Sequence, residues 1–212
     1  MLQSLPSRPK LYVKQVFELA ELVGFETRNK YRITDEAGRD IGFAAEQQKG
    51  LLGLLMRQFL GHWRSFHLHF FDHNRQPVMV AEHPFRWFFQ RLEVREAGGR
   101  ALGMVEREFG ILTKKFNVQD AQGRILLRVS SPLWRFWTFP FMAGERERAR
   151  VSKKWTGLGA EMFTDKDNFL VDFMDTTLNQ DERALVLAAA VYIDMLYFER
   201  KGSGGGFQIL GD

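Results

Sequence analysis

DERALVLAAAVYIDMLYFE, residues 181–199, decides how the rest of the chain is read. Leu, Ala and Met give it good helix propensity. Asp181 stands where an N-cap belongs and Glu182 follows in the first turn. Arg200 and Lys201 lie near the negative pole of the dipole, and Gly202 ends the pattern. The predicted helix is apolar on nearly every side, so it is either enclosed by protein or set in lipid. At about 1.5 Å per residue it reaches about 28 Å, against a bilayer core of about 30 Å. Charge separates the two readings. Arg183 sits near its start and Asp194 inside it, leaving only 184–193 uncharged, short of the roughly 20 apolar residues a span needs. Alanines at 184, 188, 189 and 190 suit close packing on several sides. The prediction is a core helix over 181–199, with a single-pass C-terminal anchor as the less favoured alternative.

Upstream, one unit recurs. Residues 31–46 (YRITDEAGRDIGFAAE), 66–82 (FHLHFFDHNRQPVMVAE), 92–108 (LEVREAGGRALGMVERE) and 116–130 (FNVQDAQGRILLRVS) each join two short apolar-rich segments through a polar turn. The turns EAGR, DHNR, AGGR and AQGR offer Gly or Asn for the positive φ of a tight hairpin. Residues 137–153 form a looser fifth copy around Gly144. Alternation at 10–17 supplies a first strand, and Phe169, Val171 and Phe173 mark a last one. Residues 16–23 carry a short helical face before Gly24. Twelve strands with one hydrophobic helix left over predict a mainly β fold: a closed antiparallel barrel of about 12 strands, whose wide lumen the C-terminal helix fills. The chain divides into an arm (1–9), one barrel domain (10–201) and a flexible Gly-rich tail (202–212).

At 212 residues one large domain is the default. The 20 Phe and 5 Trp are many, and the net charge of +4 fits anionic surfaces without choosing among them. With no Cys there is no disulfide, thiol nucleophile or zinc–thiolate site. MLQSLPSRPK has no apolar secretory core, which makes a cytoplasmic location the default. No P-loop, G-x-S-x-G or nucleophile–base spacing is present, so covalent catalysis is not expected. Lys153, Lys154 and Trp155 are too short a run to argue nucleic-acid binding.

GFETRNKYRI (24–33), IGFAAE (41–46), VSKKWTG (151–157), EMFTDKDNFLVDF (161–173) and the closing AAAVYIDMLYFE stand in an order that resembles the phospholipid scramblase family. That family shares its fold with the C-terminal domain of tubby proteins. The resemblance spans roughly 10–200 and implies a twelve-stranded barrel around a C-terminal helix. It implies calcium-stimulated, ATP-independent, bidirectional movement of phospholipids between leaflets. Eukaryotic members carry a proline-rich extension and cysteine clusters that this sequence lacks, so it looks like a compact, bacterial-type member. It also places the family's proposed calcium loop at 165–176 (DKDNFLVDFMDT). Asp165, Asp167 and Asp175 are the calcium candidates. Against them, an EF-hand-like loop wants Gly where Leu170 stands and a bidentate acid where Thr176 stands. A structural turn, with aspartates accepting backbone N–H groups, is the stronger reading.

In consecutive hairpins the tight turns lie at one end of the barrel and the connections at the other. Three connections are rich in large apolar groups with arginines interleaved. The candidate membrane contacts are Leu54, Leu55, Phe59 and Trp63 in the first, Arg86, Trp87 and Phe88 in the second, and Trp134, Arg135 and Trp137 in the third. Trp sits at head-group depth and Arg meets phosphate, so this composition suits a phospholipid surface, anionic lipids above all. Residues 51–60 fit an in-plane amphipathic helix. A barrel lid or a homodimer interface is the competing use of such residues. At the opposite rim Arg39, Arg75, Arg100 and Arg124 follow their turns, as a ring for a phosphoinositide-like group or as solvated turns. His67 and His69 share a strand face with Glu82 opposite, a weak metal candidate better read as an exposed face. The expectation is peripheral membrane association, with lipid movement, lipid binding without transport, or a soluble interaction role as the alternatives.

Overall fold

The structure, a computed structural model, describes residues 1–16, 27–47, 65–84, 90–110, 112–135, 137–153 and 168–197. Twelve strands follow in order: β1 (Lys10–Gln15), β2 (Thr27–Thr34), β3 (Asp40–Gln47), β4 (Phe66–Asp72), β5 (Pro77–His83), β6 (Arg91–Glu96), β7 (Ala101–Glu108), β8 (Thr113–Asp120), β9 (Ile125–Pro132), β10 (Thr138–Ala143), β11 (Arg146–Ser152) and β12 (Asn168–Asp172). A helix, α1 (Gln180–Tyr197), closes the described chain. Each strand pairs antiparallel with its sequence neighbours, and β1 pairs with β12, so the sheet closes on itself. Closure leaves no edge to template aggregation.

α1 fills the lumen, as its all-round apolarity requires. The stretch from Glu182 to Met195 is buried, and it belongs to one core with the inward side chains of the strands. Among the described residues no helix is long and apolar enough to cross a membrane. The helix start differs from the expected one. Asn179, not Asp181, is the N-cap: its Oδ1 accepts the Glu182 N–H at 2.9 Å, and Glu182 Oε2 accepts the Asn179 N–H at 2.8 Å. This reciprocal capping box satisfies two backbone donors at once. Asp181 instead receives Arg100, whose guanidinium donates to it at 2.7 and 2.9 Å. The expected end, residues 198–201, lies outside the described residues.

The charges inside the helix have partners from the wall. The Tyr31 hydroxyl donates to Asp194 Oδ2 at 2.9 Å, and Lys153 Nζ donates to Oδ1 at 3.3 Å. Arg183 is held by carbonyls. Its guanidinium donates to Leu178 O (3.0 Å), Leu5 O (3.2 Å) and Arg8 O (2.8 Å), and lies 4.6 Å from the Phe173 ring centre. Leu5 and Arg8 belong to the N-terminal arm, which forms a 3-10 helix over Leu2–Ser7 with Leu2 and Leu5 buried. The short helix expected over 16–23 falls almost wholly outside the described residues.

Four hairpins share one turn. Asp35, Asp72, Glu96 and Asp120 each donate N–H to the carbonyl four residues on, at 2.9–3.0 Å, and accept from the N–H three residues on. These are three-residue loops ending in a bulge, and the fourth residue needs positive φ. Gly38, Gly99 and Gly123 supply it. In the β4–β5 turn Arg75 does so, at φ 63°. The expectation that Asn74 took this role is corrected: the acidic residue anchors the turn, which sets the register one residue later.

Candidate functional site

The meander puts the β2–β3, β4–β5, β6–β7, β8–β9 and β10–β11 turns at one end and the remaining connections at the other. At the turn end the charges match one another. Arg39 donates to Asp35, Arg124 to Asp120, and Arg100 to Glu96 and Asp181. Burial pushes the Asp35 carboxyl up, but hydrogen bonds from the Arg39 and Ala37 backbone and the Arg39 and Arg8 guanidiniums outweigh it and hold the pKa below the usual range. A groove of ≈ 380 Å³ beside the N-terminus of α1 is lined by both signs, Arg100 and Arg124 with Asp120, Asp181 and Glu182. Three of the four arginines expected as a ring, Arg39, Arg100 and Arg124, are thus paired with carboxylates of the protein.

The connection end differs. Phe109 (86% exposed) and Leu112 (66%) lie on the short β7–β8 connection. Leu133 (38%) and Trp134 (71%) lie on the neighbouring β9–β10 connection. The Leu133 N–H donates to Leu112 O at 3.0 Å, which ties the two loops side by side. Four large apolar side chains thus share one exposed patch. Strand alternation explains it: these residues fall beyond the ladder, in connections too short to fold back over the lumen. Arg135 is exposed beside them, and Trp137 is half-buried at the start of β10. Leu54, Leu55, Phe59, Trp63, Arg86, Trp87 and Phe88 lie outside the described residues. Phe109 and Leu112 were missed in the sequence, although FGIL between two alternating strands was the available signal.

Asp165 and Asp167 also lie outside the described residues. Asp175 does not fit a cation ligand. One oxygen accepts the Thr177 N–H (2.8 Å) and hydroxyl (2.7 Å), while the other takes Arg148 Nε (2.9 Å) and lies 3.4 Å from Arg146. The Thr177 hydroxyl and N–H and the Arg148 guanidinium hold this carboxyl well below the usual carboxylate range. It serves the turn that leads into α1. His67 does pair with Glu82 across β4–β5. Yet among the described residues no three metal-ligating side chains converge, and His69 Nε2 meets Gln47 Oε1 at 3.2 Å.

Residues 1–200 match the family model described as Scramblase. Phospholipid scramblase 2 from Bos taurus is 30% identical over 213 residues, covering 93% of this chain and 71% of that protein. Phospholipid scramblase 1 from Mus musculus is 31% identical over 217 residues, covering 95% of this chain and 65% of that protein. The chain thus spans about two thirds of the length of such relatives. A solved structure of an Arabidopsis thaliana protein superposes with a TM-score of 0.51 at 15% identity, over 90% of this chain and 95% of that one, which is a likeness of fold. The chain belongs to the scramblase family.

Proposed function

We propose that this protein acts on phospholipids at a membrane surface, docking through the connection end of its barrel. One observation carries the reading: Phe109, Leu112, Leu133 and Trp134 form an exposed apolar patch on two adjacent connections. Monomeric soluble proteins seldom leave such a patch without a use, and Trp favours head-group depth. Membership of the scramblase family supplies the ligand class. Bidirectional, ATP-independent movement of phospholipid is the activity proposed, with peripheral attachment through the patch and α1 kept in the lumen. Calcium responsiveness is retained only as an arm of the test, since Asp175 lends it no support.

The test is flotation of purified protein with neutral and anionic liposomes, with and without calcium, followed by a carbonate wash. Binding that washes off, and that falls at least about tenfold in Leu112→Ser/Trp134→Ala (the loss of two buried apolar side chains), is the expected result. Retention after the wash would mean that α1 leaves the barrel. Unchanged binding in the double variant would remove the patch as the docking surface. Protein that never floats but self-associates through the patch would replace the membrane with a second copy of the chain. A lipid-movement assay on reconstituted vesicles then separates transport from binding alone.

A further inference from the structure

Beneath the apolar patch the barrel mouth is polar, and two cations converge there on the end of α1. Arg107 and Lys114 lie on β7 and β8, the strands whose connection carries Phe109 and Leu112. Alternation with the buried Val105 and Phe116 points both inward. The Arg107 guanidinium lies 5.8 Å from the Tyr197 ring centre, and Lys114 Nζ lies 4.9 Å from the same centre and 5.1 Å from that of Phe139. Next to them stand two buried polar atoms with no hydrogen-bond partner among the described residues, Gln90 Oε1 and the Tyr192 hydroxyl. Gln90 precedes β6, and its carbonyl accepts the Arg107 N–H at 2.8 Å. Tyr192 lies five residues before Tyr197, the end of the described α1, on the face that meets Phe116 and His83. Orphaned buried polar groups are rare and call for a ligand or water.

We infer that Arg107 and Lys114 bind the phosphate of a membrane phospholipid at the barrel mouth, with the Tyr192 hydroxyl donating a hydrogen bond to it and Gln90 Oε1 accepting one from a protonated phosphate oxygen or a water. This rests on the docking end proposed above and names what that end grips. The chemistry fits the position: guanidinium and ammonium groups are the side chains that meet phosphate, and they sit just inside a rim whose apolar groups face the acyl region. On the opposite side of the mouth Lys153 and Tyr31 are tied to Asp194 and Asn29 donates to Glu46 at 2.6 Å, while the buried Asn168 side chain at the start of β12 finds no hydrogen-bond partner among the described residues. The purely structural role for the two cations is to sit at the negative end of the helix dipole, because α1 has no basic residue in its last described turn.

The experiment compares Arg107→Gln, Lys114→Gln and Lys115→Gln in flotation with phosphatidylcholine vesicles, plain and doped with phosphatidic acid. Lys115 is exposed and faces outward, so it reports general attraction alone. Arg107→Gln and Lys114→Gln each lower binding to the doped vesicles about tenfold, the loss of one charge-assisted hydrogen bond. Arg107→Lys restores part of it, and Lys115→Gln has a smaller effect. Tyr192→Phe, which removes a hydroxyl without a hydrogen-bond partner among the described residues, weakens binding without lowering the melting temperature. That variant keeps the test alive should Lys114→Gln fail to fold. If Lys115→Gln costs as much as Lys114→Gln, or if Arg107→Gln melts lower but floats like the parent, the inference is overturned while the docking patch stands. Protein that does not float, yet titrates with inorganic phosphate through Arg107, would point to free phosphate and overturn both.

Discussion

Asp194 is the residue whose meaning changed most between sequence and structure. In the sequence it argued against a membrane span. In the barrel it is a buried carboxylate, its side chain 2% exposed, beside a Lys153 side chain 7% exposed. Removing one partner of such a pair strands the other charge. Asp194→Ala is therefore expected to destabilise by about 3–5 kcal/mol, whereas Asp194→Leu with Lys153→Met and Tyr31→Phe, which removes every named partner together, is expected to cost far less, both read by urea unfolding. Arg75 makes a second prediction. A Cβ-bearing residue held at positive φ is strained, so Arg75→Gly should raise stability by up to about 1 kcal/mol despite the entropy of Gly. The acid limb of stability belongs to carboxylates such as Asp175. Its folded pKa lies below the unfolded value of about 3.9. Its contribution is thus present above the unfolded value and lost as pH falls through the folded one. Asp175→Asn should flatten the stability profile below about pH 4, measured by urea midpoints across pH.

Elements were legible where a short-range pattern repeats. An acidic residue with Gly three residues on marks three of the hairpins, Asp72-His73-Asn74-Arg75 marks a fourth, and period-two apolarity marks the strands. Each of the five expected hairpins is found; the three-residue loop and its bulge set the register of four, and a two-residue turn between Ala143 and Arg146 closes the fifth. The cap of α1 was also written locally, as Asn179 with Glu182 three residues on. Asp181 competed for the role because it too is a good cap and adjoins the apolar run. Asn179→Ala should cost about 1 kcal/mol, while Asp181→Ala should cost less by the same urea titration, because it removes only an exposed ion pair with Arg100. The apolar patch was half legible. Trp134 and Arg135 stood out by composition, but Phe109 and Leu112 look like strand residues until the ladder is seen to end at Glu108 and resume at Thr113.

Among the described residues the molecule is a closed sheet around one α-helix, with the arm tied to both. Arg183 reaches the carbonyls of Leu5 and Arg8, so removal of residues 1–9 would leave a buried guanidinium short of acceptors. The shortened chain should unfold at markedly lower urea, still in one transition, since the barrel and α1 share a single core. Its two ends differ: Arg39, Arg100 and Arg124 are paired with carboxylates at the turn end, and large apolar side chains are exposed at the connection end. By itself the sequence determined the strands, their order and the closing helix, and favoured enclosing that helix over a membrane anchor, because these follow from periodicity, turn chemistry and the placement of charge along a few residues. Only the tertiary structure decided which wall residues answer Asp194 and Arg183, and that Arg107, Lys114, Gln90 and Tyr192 meet at one mouth. Those pairings join residues far apart in the chain, and the register of a closed barrel, not any local pattern, brings them together.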